Sequence, residues 1–128
     1  AADAGTCPVL EEDRCPLYPV RPLACRTMRS RADCATTGFA DMDDFSVTVG
    51  TVLMQYVEHL DANGCCGNFA DILALFASAA NRACYADGTL PCRENGLVEN
   101  RPIAVLMIPP EHRQRMRPLL EKIAQIRV

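Results

Sequence analysis

Four of the chain's eight cysteines, Cys7, Cys15, Cys25 and Cys34, lie in a segment rich in proline and arginine. A thiol serves as a small apolar filler, half of a disulfide, a metal ligand or a nucleophile. Pro8, Pro16, Pro19 and Pro22 exclude a helix interior or a central strand, so this backbone is a stiff, turning loop. Stiff loops that bring several sulfurs together build a soft-metal site without a large core. Cys7, Cys15, Cys25 and Cys34 are therefore the candidate metal ligands. Their separations are long and unequal, unlike the close Cys-x-x-Cys pairs of zinc ribbons. Arg14, Arg21, Arg26, Arg29 and Arg31 lie within or beside the set. Guanidinium groups favour thiolates and offset the negative charge of a four-thiolate centre. Arg21 and Arg26 are the expected supporting groups, donating to sulfur or to nearby carbonyls. An all-sulfur donor set suits zinc or iron, including an iron–sulfur cluster, and not calcium or magnesium.

The run Tyr18-Pro-Val-Arg21-Pro22-Leu-Ala-Cys25-Arg26 resembles the signature of the YkgJ-like cysteine-cluster family, described as zinc- or iron-chelating domains. Cys7 with Leu10, Cys15 with Tyr18, Arg21-Pro22, Cys25-Arg26 and Cys34 match that pattern, over about the first quarter of the chain. The resemblance implies metal binding by these cysteines. The family also carries closely spaced cysteines upstream, ending in an adjacent pair, and nothing precedes Cys7 to supply them. The expectation is a longer polypeptide, since the chain also starts without methionine. Cys65 and Cys66, the one adjacent pair present, are reserve ligands; a tight turn between helices is the simpler reading of them.

The elements that must position these groups follow from apolar spacing. The fold class expected is mainly α, a small helical domain with a loop-rich N-terminal metal-binding module. Residues 1–36 form that module and residues 37–128 a helical domain packed against it. Asp41, Asp43 and Asp44 suit a helix start, where carboxylates meet the positive dipole end. Val49, Val52, Leu53, Tyr56, Val57 and Leu60 recur at helical spacing, predicting a helix over 45–60. Asp61 to Gly64 stops it, with Asn63 or Gly64 taking the left-handed conformation. Asn68 caps a second helix from Phe69 to about Cys84, apolar on most faces and expected at the buried centre. Asp87-Gly88 ends it, and residues 91–102 read as irregular. Ile103 to Ile108 is a short strand or an extended packing segment. Pro110 and Glu111 open a last helix in which Pro118 forces a kink or restart.

Other candidates yield to plainer readings. His59 is expected as a capping or surface residue and His112 as solvated. Arg113, Arg115 and Arg117 belong to a solvated helix face, with Glu111 and Glu121 four residues from Arg115 and Arg117 respectively. No glycine-rich phosphate loop, serine nucleophile or paired catalytic carboxylate is recognisable.

The net charge of −3 argues against nucleic acid as a partner, and no apolar run reaches bilayer length. Reduced thiols predict a cytoplasmic location. A metal ion is the expected partner. Two further functions stay open: a secreted protein stapled by disulfides without metal, and a redox or modifying enzyme using the cysteine cluster.

Overall fold

The computed structural model describes residues 9–12, 14–37 and 39–126. The fold is mainly α. Its elements are α1 (Leu23–Thr27), α2 (Cys34–Thr37), α3 (Asp44–Leu60), β1 (Cys65–Cys66), α4 (Phe69–Phe76), α5 (Ala79–Ala86), β2 (Val98–Glu99) and α6 (Arg113–Ala124). Short 3-10 turns occur at Tyr18–Val20, Arg93–Asn95 and Pro110–His112. Packing groups the residues up to Met54 with those from Leu106 onward, and Gln55–Val105 into another unit.

In the first unit, Asp43 starts α3 as the sequence implies. Its Oδ1 accepts the Ser46 N–H at 3.0 Å and its Oδ2 accepts the Ser46 hydroxyl at 2.6 Å. These bonds hold the Asp43 carboxyl below the usual carboxylate range. Thr48 and Val52, one helical turn apart, are buried, and α6 buries Met116 and Ile123, seven residues apart. Gly50 lets α1 lie close against α3, because a Cβ there would stand 3.2 Å from the Thr27 hydroxyl.

Pro118 is carried inside α6 and produces no restart. A proline removes one amide donor, which opposed the carbonyl four residues earlier. The 3-10 turn at Pro110–His112 leads straight into the helix. His112 is half-buried and not simply solvated. Its Nδ1 lies 2.7 Å from the Thr48 hydroxyl and its ring meets Phe45 edge-on at 5.5 Å. Arg115 covers the same Phe45 ring at 3.8 Å.

The second unit departs further from the expected pattern. The predicted helix from Phe69 breaks at Ala77–Ser78 into α4 and α5. Asn68 caps α4 as expected, accepting the Ala70 N–H at 2.9 Å. Ser78 then caps α5, accepting from the Asn81 N–H at 3.4 Å. Side chains of α5 close the end of α4: Asn81 donates to the Leu75 carbonyl at 2.9 Å, and Arg82 to those of Phe76 and Ala77. Apolar periodicity continues through the break, which is why spacing alone reads one helix. No residue of α4 is fully buried, and Leu73 is 40% exposed. The expected buried centre is instead Leu97 and Cys92. A unit of about 50 residues has too much surface for its volume to enclose a helix on all sides.

Cys65–Cys66 is a strand and not a bare turn. It pairs antiparallel with β2 in the register Cys65↔Glu99 and Cys66↔Val98. Ile103 to Ile108 forms no strand; the ladder partner lies earlier, in the stretch read as irregular. Neither Asn63 nor Gly64 is left-handed. Gly64 is required for space, since a Cβ there would meet the Asp61 carboxylate.

Met116→Ala tests the first unit's packing. The side chain is fully buried, so truncation should cost about 2–5 kcal/mol. Val57→Ala, at a 45% exposed site, should change thermal unfolding far less. Equal losses for the two would contradict the assigned core.

Candidate functional site

The N-terminal site is built on two tight turns. Glu11 and Arg14 exchange backbone hydrogen bonds of 2.9 Å in each direction, and Glu12 takes a left-handed φ of +47° to close the turn. The Tyr18 N–H donates to the Cys15 carbonyl at 3.1 Å, and the Val20 N–H to that of Leu17 at 2.9 Å. Pro19 sits inside this 3-10 turn, where its fixed φ suits the geometry. Leu23–Thr27 follows as a single helical turn carrying Cys25.

Two arginines clamp the segment between Cys15 and Cys25. Arg26 donates from Nε to the Arg21 carbonyl at 2.7 Å and from Nη2 to the Pro19 carbonyl at 3.0 Å. Arg21 donates from Nε to the Tyr18 carbonyl at 3.2 Å and lays its guanidinium 3.6 Å from the Tyr18 ring centre. These donors go to carbonyls and an aromatic face. A planar fork bridging two carbonyls sets the chain path between the thiols in a way that a point charge cannot.

Cys15 and Cys25 are both free thiols and both half-buried. Cys15 borders a shallow hollow of about 530 Å³, lined also by Glu11, Glu12, Arg14 and Pro16. Cys34 opens α2, and Cys7 lies outside the described residues. Among the described residues, no three His, Cys, Asp or Glu side chains converge as a metal-holding group. Two sulfurs suit a soft cation in kind, and tetrahedral coordination asks for four. Of the four expected ligands, Cys15 and Cys25 are the two whose side chains the structure describes.

The other cysteines occupy a different setting. Cys65, a reserve ligand by sequence, is joined to Cys92 in a disulfide with a Cα–Cα distance of 6.2 Å and a sequence separation of 27. In that state its sulfur is not a free donor. In a chain-entropy picture, closing a loop of this size stabilises by about 3–4 kcal/mol. Cys66 and Cys84 remain free. Burial, aided by the Glu58 carboxylate, pushes the Cys66 thiol above its ordinary value of 9.0.

Around the disulfide lies a polar network that sequence reading missed. Asn100 is 8% exposed; its N–H donates to the Gly64 carbonyl at 3.0 Å. Its Nδ2 reaches the Asp61 carbonyl at 2.9 Å and the Asp61 carboxylate at 3.2 Å. The Tyr85 hydroxyl also donates to that carboxylate, at 2.9 Å. Burial first, and then this bond, raise the Tyr85 phenol. His59 is exposed, and its Nδ1 accepts the Ile103 N–H at 3.2 Å, consistent with its expected capping or surface role. Asn63-Gly64 marks the turn in sequence, but no local signal points from it to Asn100, 36 residues on.

Compared with family models, curated proteins and solved structures, the chain matches none of them.

Arg26→Lys should keep the charge and lose the fork. Stability should fall by about 1 kcal/mol, the scale of one net hydrogen bond. Amide exchange at Val20 should quicken, and unchanged exchange there would refute the clamp.

Cys66 and Tyr85 share a pH consequence. Both folded-state values are raised, so the stability contributed by Cys66 is present below 9.0 and that contributed by Tyr85 below 10.0, and each is lost as pH rises from there through the raised folded value. Iodoacetamide should label Cys66 with a midpoint above 9.0. Glu58→Gln removes a negative charge and should lower that midpoint; a midpoint that stays put would exclude Glu58 as a cause.

Proposed function

We propose that this chain binds a soft metal ion, zinc or iron, through cysteine thiolates of its N-terminal segment, with an iron–sulfur cluster as one form the iron takes. Cys7, Cys15, Cys25 and Cys34 are the ligands. Arg21 and Arg26 hold the intervening backbone. The observation that carries this reading is the pair of free, half-buried thiols, Cys15 and Cys25, bracketing a turn that two guanidinium groups lock. A locked turn holds two sulfurs at a set separation, which lowers the cost of assembling a metal site from loops. The likeness of this segment to the YkgJ-like signature supports the same donor set. A reducing, cytoplasmic setting would keep these thiols available.

A second reading draws on the Cys65–Cys92 disulfide. A chain stapled throughout by disulfides would hold no metal and present no free thiols. Metal analysis, free-thiol counting and an absorption spectrum on the same native protein separate the two. Cys15→Ser and Cys25→Ser should each cut bound zinc or iron several-fold. If both variants keep full metal occupancy, the ligand assignment is wrong. Native protein with neither metal nor free thiols would establish the stapled form.

A further inference from the structure

We infer that the Cys65–Cys92 disulfide is a redox clasp: a dithiol reductant opens it and releases β1 from the turn that follows Cys92. The argument starts from what each half of the bond is attached to. Cys65 lies in β1, whose ladder with β2 spans two residues on each strand. Cys92 begins a compact turn that is hydrogen-bonded onto itself. The Asn95 and Leu97 N–H groups both donate to the Cys92 carbonyl, at 3.1 and 2.9 Å. Asn95 Nδ2 reaches the Pro91 carbonyl at 2.9 Å, and Gly96 takes a φ of +74°. The turn therefore keeps its own bonds when the disulfide opens. The contacts between turn and strand do not have that independence. They are the S–S bond itself, the seating of Leu97 against Gly67, where a Cβ would stand 2.6 Å from the leucine methyl, and the two-residue ladder that β2 makes with β1 directly after the turn.

The open state is also provided for. The Cys92 sulfur lies 3.7 Å from the Leu90 carbonyl. In the disulfide that carbonyl has no proton to accept from sulfur, whereas a Cys92 thiol would donate to it. The reduced sulfur would thus enter an apolar, 8% exposed position with a partner already in place. Leu97, 4% exposed, is the unit's other buried apolar side chain among the described residues. Opening the clasp would therefore loosen a large part of what this unit encloses.

The chemistry balances with the reductant alone. Cys65 is half-buried and Cys92 more deeply so, which directs the first thiolate of the dithiol to the Cys65 sulfur. The S–S bond breaks, and Cys92 leaves with the electron pair and takes up a proton. The second thiol of the reductant then displaces Cys65 from the mixed disulfide. Two electrons pass to the protein, which gains two thiols, and the reductant departs as a disulfide. Cys66 takes no part, because alternation along the strand turns it to the face opposite Cys65. This clasp is independent of the metal-binding reading, since none of Cys7, Cys15, Cys25 or Cys34 enters it.

The test uses the full chain with a chelator present, across a series of oxidised and reduced dithiothreitol buffers. Alkylation and peptide mass mapping report the Cys65–Cys92 bond, and amide hydrogen exchange reports the structure. As the bond opens, exchange at Asn100, whose N–H is held by the Gly64 carbonyl, should accelerate at least tenfold. Leu97 and Asn95, held within the turn, should change less, and the amides of α6 should not change. Glutathione disulfide should restore the original rates. Cys92→Ser should show the fast Asn100 exchange without reductant, with helical circular dichroism as the control for folding. If that variant does not fold, the redox series on the unaltered chain decides. Absence of the bond in oxidised protein would overturn the clasp, as would Asn100 exchange that is unchanged once both sulfurs are alkylated.

Discussion

Planar side-chain donors reaching main-chain carbonyls hold the turns of this chain, and much of its order follows from them. Arg26 ties the Pro19 and Arg21 carbonyls, Arg82 those of Phe76 and Ala77, Asn81 that of Leu75, Asn95 that of Pro91, and Asn100 that of Asp61. Carbonyls at turns and helix ends lack the partners that regular structure would provide. A guanidinium or amide satisfies them at a fixed angle and ties two stretches of backbone together. Apolar burial contributes less here than the composition suggests. Although about half the residues are apolar, the buried apolar side chains among those described are Val52, Cys92, Leu97, Met116 and Ile123. Polar clamps of this kind meet the carbonyls at the end of α4 and just after α3.

That division explains what could be read from sequence. The helix over 45–60, the acidic start at Asp43 and the cap at Asn68 all arise from interactions within a few residues, and each is visible as a pattern. The break at Ser78 is also local, yet its signal is hidden because apolar spacing continues through it. Asn81 and Arg82 were its chemical markers, as donors placed to meet the carbonyls of the preceding turn. The pairing of β1 with β2 is flanked by the bonds of Asn100 to Gly64 and Asp61, and no spacing rule links these residues. The arginine-rich turn between Cys15 and Cys25 was legible as a stiff loop. The direction of its guanidinium groups, toward carbonyls and the Tyr18 ring, was not.

The cysteines fall into two chemical settings. In one, the free thiols of Cys15 and Cys25 flank a turn held by the neighbouring Arg21 and Arg26 guanidinium groups. In the other, sulfur is used for cross-linking or sits as a protonated thiol under the influence of burial and a carboxylate. Among the described residues, sulfur therefore occurs both as free thiol and as cross-link. The residues beside each sulfur, and not the cysteine count, distinguish them.

The two-residue pairing of β1 with β2 has a consequence for how this protein meets other copies of itself. A sheet of two strands has no interior, so each strand presents an outer row of amide and carbonyl groups, and Val98 adds a 62% exposed apolar side chain. Longer strands of that kind would be templates for another chain to add to. With two residues in each, the outer row is too short to hold a recruit in register. Gly67 just after β1 and Pro102 soon after β2 oppose extension, glycine through its entropy and proline through its missing donor. Brevity thus limits how far an open, partly apolar sheet of this kind can act as a template for edge-to-edge pairing.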